Sequence, residues 1–350
     1  MRAAGGDADG ARAWLGRRAL LGAATGLAVP LPAQSQPRPL LGVNLAGAEF
    51  GTEFPGRHGS SYIWPGNASA DYYLDRGMAV LRLPFRWERL EARPGAGFHP
   101  AEIGHLDRLV RHIAGRGGHV ILDLHNYGRW REAGRERVIG QRGGPSAAAL
   151  AGLWSRLATR YLDLPNVIHG LMNEPHDQEM GVLVEVLQTA ITAIRATGST
   201  QLILVPGNHW SGGHSWVYSG NAAAMLAITD PGQNFAFDIH QYLDARSSGV
   251  TNICEPGSGA SRLTPFTDWA RANNRRGFLG EFNAGPDELC LTEMAALLDH
   301  VQTHADVWLG AAYWAGGPWW GDAIFAVEPA DLARPVDRPQ MAALAARVRR

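Results

Sequence analysis

Cysteine is nearly missing from the 350-residue chain, which holds only Cys254 and Cys290. Without a Cys-x-x-Cys pair there is no ligand set for a thiolate zinc centre. An excess of one charge is missing as well: 32 Lys and Arg stand against 33 Asp and Glu, a formal net charge of −1. A nucleic-acid surface or a polybasic membrane patch needs a basic excess that this balance does not supply. No internal stretch approaches the roughly 20 unbroken apolar residues of a membrane span. No Gly-x-Gly-x-x-Gly or phosphate loop follows a predicted strand, so nucleotide chemistry has no support. Neither His-x-His nor His-Glu-x-x-His occurs despite 13 histidines, which argues against a metal-dependent hydrolase. Between residues 39 and 350 there is no Pro- or Ser-rich linker and no low-complexity segment, so this stretch reads as one domain.

The rest of the composition is that of a chain with a core to bury: 45% hydrophobic and 19% charged residues, unlike the apolar-poor, charge-unbalanced make-up of disordered segments. Residues 1–38 read as a signal peptide and short leader. Arg17-Arg18 precede an uncharged run from Ala19 to Leu31, followed by Leu31-Pro32-Ala33, the positive, apolar and small-residue layout of a cleaved export signal. The paired arginines resemble a twin-arginine signal, although Gly16 and Leu20 depart from its fuller form. The expected location is therefore outside the cytoplasm, secreted or periplasmic. In that oxidising setting the single pair Cys254 and Cys290 is a disulfide candidate, joining the loops after the sixth and seventh strands.

After Pro39, short β-rich runs alternate with longer helical patterns. Strands are predicted at 41–46, 79–84, 119–124, 167–172, 201–206, 235–239, 277–280 and 307–313, several of them continuous apolar runs such as Val120-Ile121-Leu122, which suits parallel strands buried on both faces. Helices are predicted at 105–116, 147–161, 181–196, 265–274, 289–305 and 339–348. Eight strands with intervening helices predict an α/β fold, a (β/α)8 TIM barrel forming a single catalytic domain over 39–350. A doubly wound open sheet is the alternative.

In such a barrel the chemistry lies at the C-terminal strand ends, and the polar residues collect there. Strand two ends in Arg82-Leu83-Pro84, strand three runs into His125-Asn126-Tyr127, and strand four into Asn173-Glu174-Pro175-His176. Strand six ends in His240-Gln241-Tyr242, strand seven in Glu281-Phe282 and strand eight in Trp314. One glutamate after a strand is ordinarily a helix cap or a surface charge. Two carboxyl groups that each follow an apolar strand, with an arginine and histidines at neighbouring ends, cost free energy that a purely structural role does not return.

These segments, with Ile139-Gly140-Gln141-Arg142-Gly143-Gly144-Pro145, Pro206-Gly207-Asn208-His209-Trp210 and Asp238-Ile239-His240-Gln241-Tyr242-Leu243-Asp244, resemble glycoside hydrolase family 5. They span nearly the whole of 39–350 in family order. The flavour resembles the secreted endo-β-1,4-glucanases, with fewer cysteines than the fungal relatives. The resemblance implies a retaining hydrolase of cellulose-like glucans, with Glu174 as acid/base and Glu281 as nucleophile. It places Arg82 and Tyr242 beside Glu281, His240 near Glu174, and Asn173 and His125 at the reacting sugar.

Sugars present flat apolar faces that stack on aromatic rings. Trp314 is therefore expected at the reacting subsite and Trp210 at a neighbouring one, with Trp319 and Trp320 extending the cleft and Trp154, Trp216, Trp269 and Trp308 left to the core. No cofactor and no metal is implied. The expected partner is a β-glucan polysaccharide or oligosaccharide, with no nucleic acid and no membrane for the mature form, and the chain is expected to act as a monomer. Related polymers, namely mannan, xyloglucan or mixed-linkage glucan, are the alternative substrates. A metal-dependent barrel hydrolase and a non-catalytic glycan-binding barrel are the distant alternatives.

Overall fold

Runs of β-branched and large apolar residues form eight strands: β1 Leu40–Leu45, β2 Val80–Phe85, β3 His119–Leu124, β4 Val167–Gly170, β5 Ile203–Pro206, β6 Phe235–His240, β7 Gly277–Phe282 and β8 Trp308–Gly316. In the computed structural model, which describes residues 38–348 except 133 and 252, each strand pairs in parallel with the next, and β8 pairs with β1 to close the barrel. The expected (β/α)8 barrel is what the chain forms. Most predicted strand edges fall within two residues of the observed ones. The predicted leader lies outside the described residues, except for Arg38.

Among the described residues, seven helices of nine residues or more cover the barrel: α1 Asn67–Asp75, α2 Pro100–Gly115, α3 Ala147–Arg160, α4 Met180–Ala196, α5 Thr264–Ala272, α6 Glu288–Thr303 and α7 Pro339–Val348. Helix α3 shows why such segments are helical. Leu150, Leu153, Trp154 and Leu157 recur at helical spacing on its buried face, and Ser146 caps the first turn by accepting from Ala149 N at 3.2 Å, an end effect of about 1 kcal/mol. Helix α1 was not foreseen, nor was the hairpin of Arg129–Glu132 against Arg135–Val138. No described helix is long and apolar enough to cross a membrane.

The barrel interior is built in layers, because side chains two residues apart on a strand share a face. Its apolar floor consists of Val80, Ile121, Ile168, Leu204, Ala236, Phe278 and Ala312. Two residues further toward the C-terminal mouth, the same faces of β2, β3 and β6 carry Arg82, Asp123 and Asp238, all buried. A polar layer thus lies directly on an apolar one. Cys254 and Cys290 form the expected disulfide, with Cα atoms 5.3 Å apart. It joins the loop after β6 to the first turn of α6, whereas two loops were expected.

Candidate active site

Arg82 is the hub of the polar layer and is fully buried. One of its guanidinium nitrogens, Nη1, donates to Asn44 Oδ1 at 2.8 Å and to Glu281 Oε1 at 2.8 Å, and lies 3.0 Å from Asp123 Oδ2. The other, Nη2, donates to Asn173 Oδ1 at 2.8 Å and stands 3.7 Å from Asp238 Oδ2. Burial opposes the charge on Arg82, but Asp123, Glu281 and Asp238 outweigh it and raise its pKa. Removing one partner from such a buried set leaves an uncompensated charge, at a cost of roughly 3–5 kcal/mol.

Simple alternation along β7 would turn Gly280 inward, after Phe278, and Glu281 outward. A bulge prevents this. Ile239 pairs with Leu279 but the next residue, His240, pairs with Glu281, so β7 holds one residue more than β6 over the same span and the extra residue re-aims the side chain. Position 280 must be glycine here, since a Cβ would sit 2.0 Å from Asp238 Oδ1. Glu281, 3% exposed, then accepts from Arg82 at Oε1 and from the Tyr242 hydroxyl at Oε2, the latter at 2.6 Å. Burial raises the pKa of Glu281, the neighbouring Glu174 raises it further, and the cationic His240 and Arg82 pull it down. His240 and Arg82 oppose the rise, but burial sets the net shift. Tyr242 is pushed well above the ordinary phenol range, first by burial and then by Glu281 and Glu174, and so remains a donor.

Glu174 reaches the same space from the chain leaving β4. Its backbone is in the left-handed region at φ 42°, an uncommon conformation for a non-glycine residue that costs of order 1 kcal/mol and tends to occur at functional sites. Its side chain is 15% exposed, and Oε1 lies 2.8 Å from His240 Nδ1. Burial disfavours the His240 cation, yet Glu281, Asp238 and Glu174 push its pKa up to about 10. At neutral pH His240 is therefore charged and donates to Glu174. One donor atom each from Glu174, His240 and Glu281 lie within 4.8 Å of one another, but a protonated imidazole is not a metal ligand.

His125 behaves in the opposite way. Its pKa is held well below the ordinary value by burial, even against the attraction of Glu281, so the ring is neutral. Nδ1–H donates to Asp123 Oδ2 at 2.7 Å, which leaves Nε2 as the acceptor facing Tyr127 OH and Asn173 Nδ2, both at 3.2 Å. Asn173, expected at the reacting sugar, is 1% exposed with both ends of its amide engaged by Arg82 and His125. The His125 ring stacks on half-buried Trp314, centroids 5.4 Å apart and planes 17° from parallel.

Trp210 is 48% exposed and stacks on His176 at 4.7 Å. It is the middle of three consecutive residues, His209 to Ser211, with φ between 53° and 58°. Ser211 Oγ, which accepts from Gly207 N at 2.8 Å and donates to Asp238 O, helps to hold this left-handed turn. Trp210 and Glu174 line one cavity of about 720 Å³ with His214, Tyr218, Tyr242 and Arg246. Trp320 packs between Phe50 and Trp314 and Trp319 is 40% exposed. Trp154, Trp216 and Trp308 are core residues, whereas Trp269 is only partly buried. The sequence reading missed Asn44, Asp123 and Asp238. The signal was present for the two aspartates, each lying two residues beyond an inward apolar residue of its own strand.

Two carboxyl groups this close, one clamped by an arginine and a tyrosine and the other facing it across the barrel mouth, can attack and protonate opposite sides of one acetal bond; fold and site together define a glycoside hydrolase. The chain belongs to glycoside hydrolase family 5: the family model described as Cellulase (glycosyl hydrolase family 5) matches residues 43–317. Endo-beta-1,4-glucanase B of Aspergillus niger is 35% identical over 320 residues, covering 89% of this chain and 93% of that protein. Among solved structures, XacCel5A in complex with cellopentaose has a TM-score of 0.83 at 39% identity, covering 88% of this chain and 99% of that one. Cel5A (EG2) of Hypocrea jecorina gives 0.80 at 31% identity, covering 87% and 98%.

Proposed function

We propose that this chain is a retaining endo-β-1,4-glucanase acting on cellulose-like glucans by double displacement. The observation that carries the reading is the Glu174–Glu281 pair, oxygens within 4.8 Å, since retaining glycosidases hold their carboxyl groups about 5–5.5 Å apart. Glu281 attacks the anomeric carbon while Glu174 gives its proton to the departing glycosidic oxygen. The C–O bond to the leaving sugar breaks as the glycosyl–Glu281 ester forms. Glu174, now a carboxylate, takes a proton from water, whose oxygen attacks the same carbon and releases Glu281.

Neighbouring residues have matching work. Arg82 and Tyr242 hold Glu281 with one oxygen aimed and its charge balanced. His240, 2.8 Å from Glu174 Oε1, orients the acid/base carboxyl group. Trp314, braced by His125, seats the reacting sugar, and Trp210 seats a neighbouring one. The activities of the relatives, and the cellopentaose bound by one neighbour, support a β-1,4-glucan as substrate. We take the chain to work as a monomer. Residues 1–38 act as its export signal, and the disulfide suits an oxidising compartment.

Reducing-sugar release from carboxymethylcellulose, mannan, xyloglucan and lichenan tests the substrate, with carboxymethylcellulose expected to be cleaved faster than mannan; the reverse order refutes it. Proton NMR of the first product, taken before mutarotation, should show the β-anomer, and an initial α-anomer refutes retention.

A further inference from the structure

Beyond Trp210 the barrel mouth continues into a smaller recess of about 200 Å³, whose lining includes Arg86, Tyr127, Arg129, Arg131 and His176. Its electrostatics are unusual. Arg86, Arg89 and Arg131 place three guanidinium groups 5.5, 5.5 and 5.2 Å from the ring centre of Phe54. Cations gathered this closely repel one another unless each is compensated. Arg131 pairs with Glu136, and Arg89 donates to the main-chain carbonyls of Ala48, Phe50 and Pro55.

Arg86 is compensated more weakly: burial lowers its pKa, and the attraction of Glu88 and Glu49 does not restore it. Its hydrogen bond is a single one, from Nε to Glu49 O at 3.1 Å, and it forms no ion pair among the described residues. The carboxylates of the recess are committed elsewhere: Glu88 accepts from Asn126 Nδ2 at 2.8 Å and Arg131 N at 2.6 Å, and Glu136 is held by Arg131 and Arg129. Glu49, which also senses Arg86, is pushed up to about 7 by burial and is a weak counter-charge. The two terminal nitrogens of Arg86 thus remain as planar donors with no hydrogen-bond partner among the described residues.

We propose that Arg86 is a receptor for a carboxylate carried on the glucan chain, so that the enzyme favours uronate-bearing β-glucan over the neutral polymer. The guanidinium fork matches the two oxygens of a carboxylate. Its position links it to the reacting centre: the guanidinium lies 5.2 Å over the Tyr127 ring, Tyr127 OH is 3.2 Å from His125 Nε2, and His125 stacks on Trp314. Trp210, which seats a neighbouring sugar in the reading above, itself lines this recess, so a chain seated there borders it. The inference rests on the endoglucanase reading and deepens it.

The test compares kcat/KM for cello-oligosaccharides with that for chains of equal length oxidised to carboxylate at C6. Arg86→Gln should lower the oxidised-to-neutral ratio about tenfold, the scale of a partly exposed charge-assisted hydrogen bond, and Arg86→Lys should restore part of it. In the wild type the ratio should fall as salt rises from roughly 20 to 200 mM, because screening weakens exposed ion pairs. A ratio that is the same in Arg86→Gln overturns the anion site. Should that variant not fold, a salt-independent ratio in the wild type overturns it equally. Failure of the wild type to cleave the neutral chains would instead overturn the endoglucanase reading, and titration calorimetry of both chains on the wild type would then decide the anion site alone.

Discussion

Replacing Gly280 with alanine tests whether the bulge in β7 aims Glu281. The added Cβ would lie 2.0 Å from Asp238 Oδ1 and 2.9 Å from its carboxyl carbon, well inside the roughly 3.5–4.0 Å of ordinary contact. Something must move by about 1.5 Å to clear it. If Asp238 moves, it leaves its place beside Arg82 Nη2 and His240 Nε2, at 3.7 and 3.8 Å; if β7 moves, it carries Glu281 with it. Overpacking of this kind costs about 1–3 kcal/mol, which leaves a folded protein. A misplacement near 1 Å at the reacting atoms costs on the order of 10² in rate. We predict that Gly280→Ala lowers kcat on a soluble glucan about 100-fold with a much smaller change in KM, since Trp314 and Trp210 still seat the sugars. Scanning calorimetry should show the stability loss. In an Asp238→Ala background the clash is gone, so the same substitution should add little further destabilisation, a non-additivity expected only of groups in direct contact. A Gly280→Ala enzyme within twofold of wild-type kcat would refute the argument.

The remaining predictions concern the pair, the disulfide and pH. Glu281→Gln should cut turnover by several orders of magnitude, beyond the roughly 10²- to 10⁴-fold of acid/base help, and near-normal hydrolysis would remove it as nucleophile; azide should rescue Glu174→Ala with a β-glycosyl azide as product. Joint replacement of Cys254 and Cys290 by alanine, which opens a loop of sequence separation 36, should cost about 3–4 kcal/mol on the chain-entropy estimate, whereas two thiols titrating in the unreduced, denatured protein would show that the bond is not made. Because the Glu281 pKa is raised, its carboxylate is lost at a pH above the usual glutamate range, so the acid limb of kcat/KM should lie above that range; a limb at or below it contradicts the burial argument. His240 has its folded pKa raised from 6.5 to about 10, so its stabilising contribution is complete below 6.5 and disappears as pH climbs through 10. The melting temperature should fall over that interval, and less steeply in His240→Gln; equal slopes would count against it.

How much was legible in the sequence differs by level. The alternation of apolar strand and amphipathic helix is written in neighbouring residues, through a strand period of two and a helix period near 3.6, and it determined eight strands and the barrel. Glu174 and Glu281, together with Arg82, His125, Asn173, His240, Tyr242 and Trp314, were legible because the C-terminal ends of barrel strands converge wherever the loops lead. Their directions and charge states were not. The inward turn of Glu281 depends on an extra residue in β7 measured against β6, a relation between strands that neither strand encodes alone. The neutral state of His125 and the charged state of His240 follow from burial and from carboxylates on other strands. Arg82 and Glu281 meet across 199 residues of sequence, and the energy of that contact depends on how completely water is removed from it, a quantity that exists only once the barrel has closed.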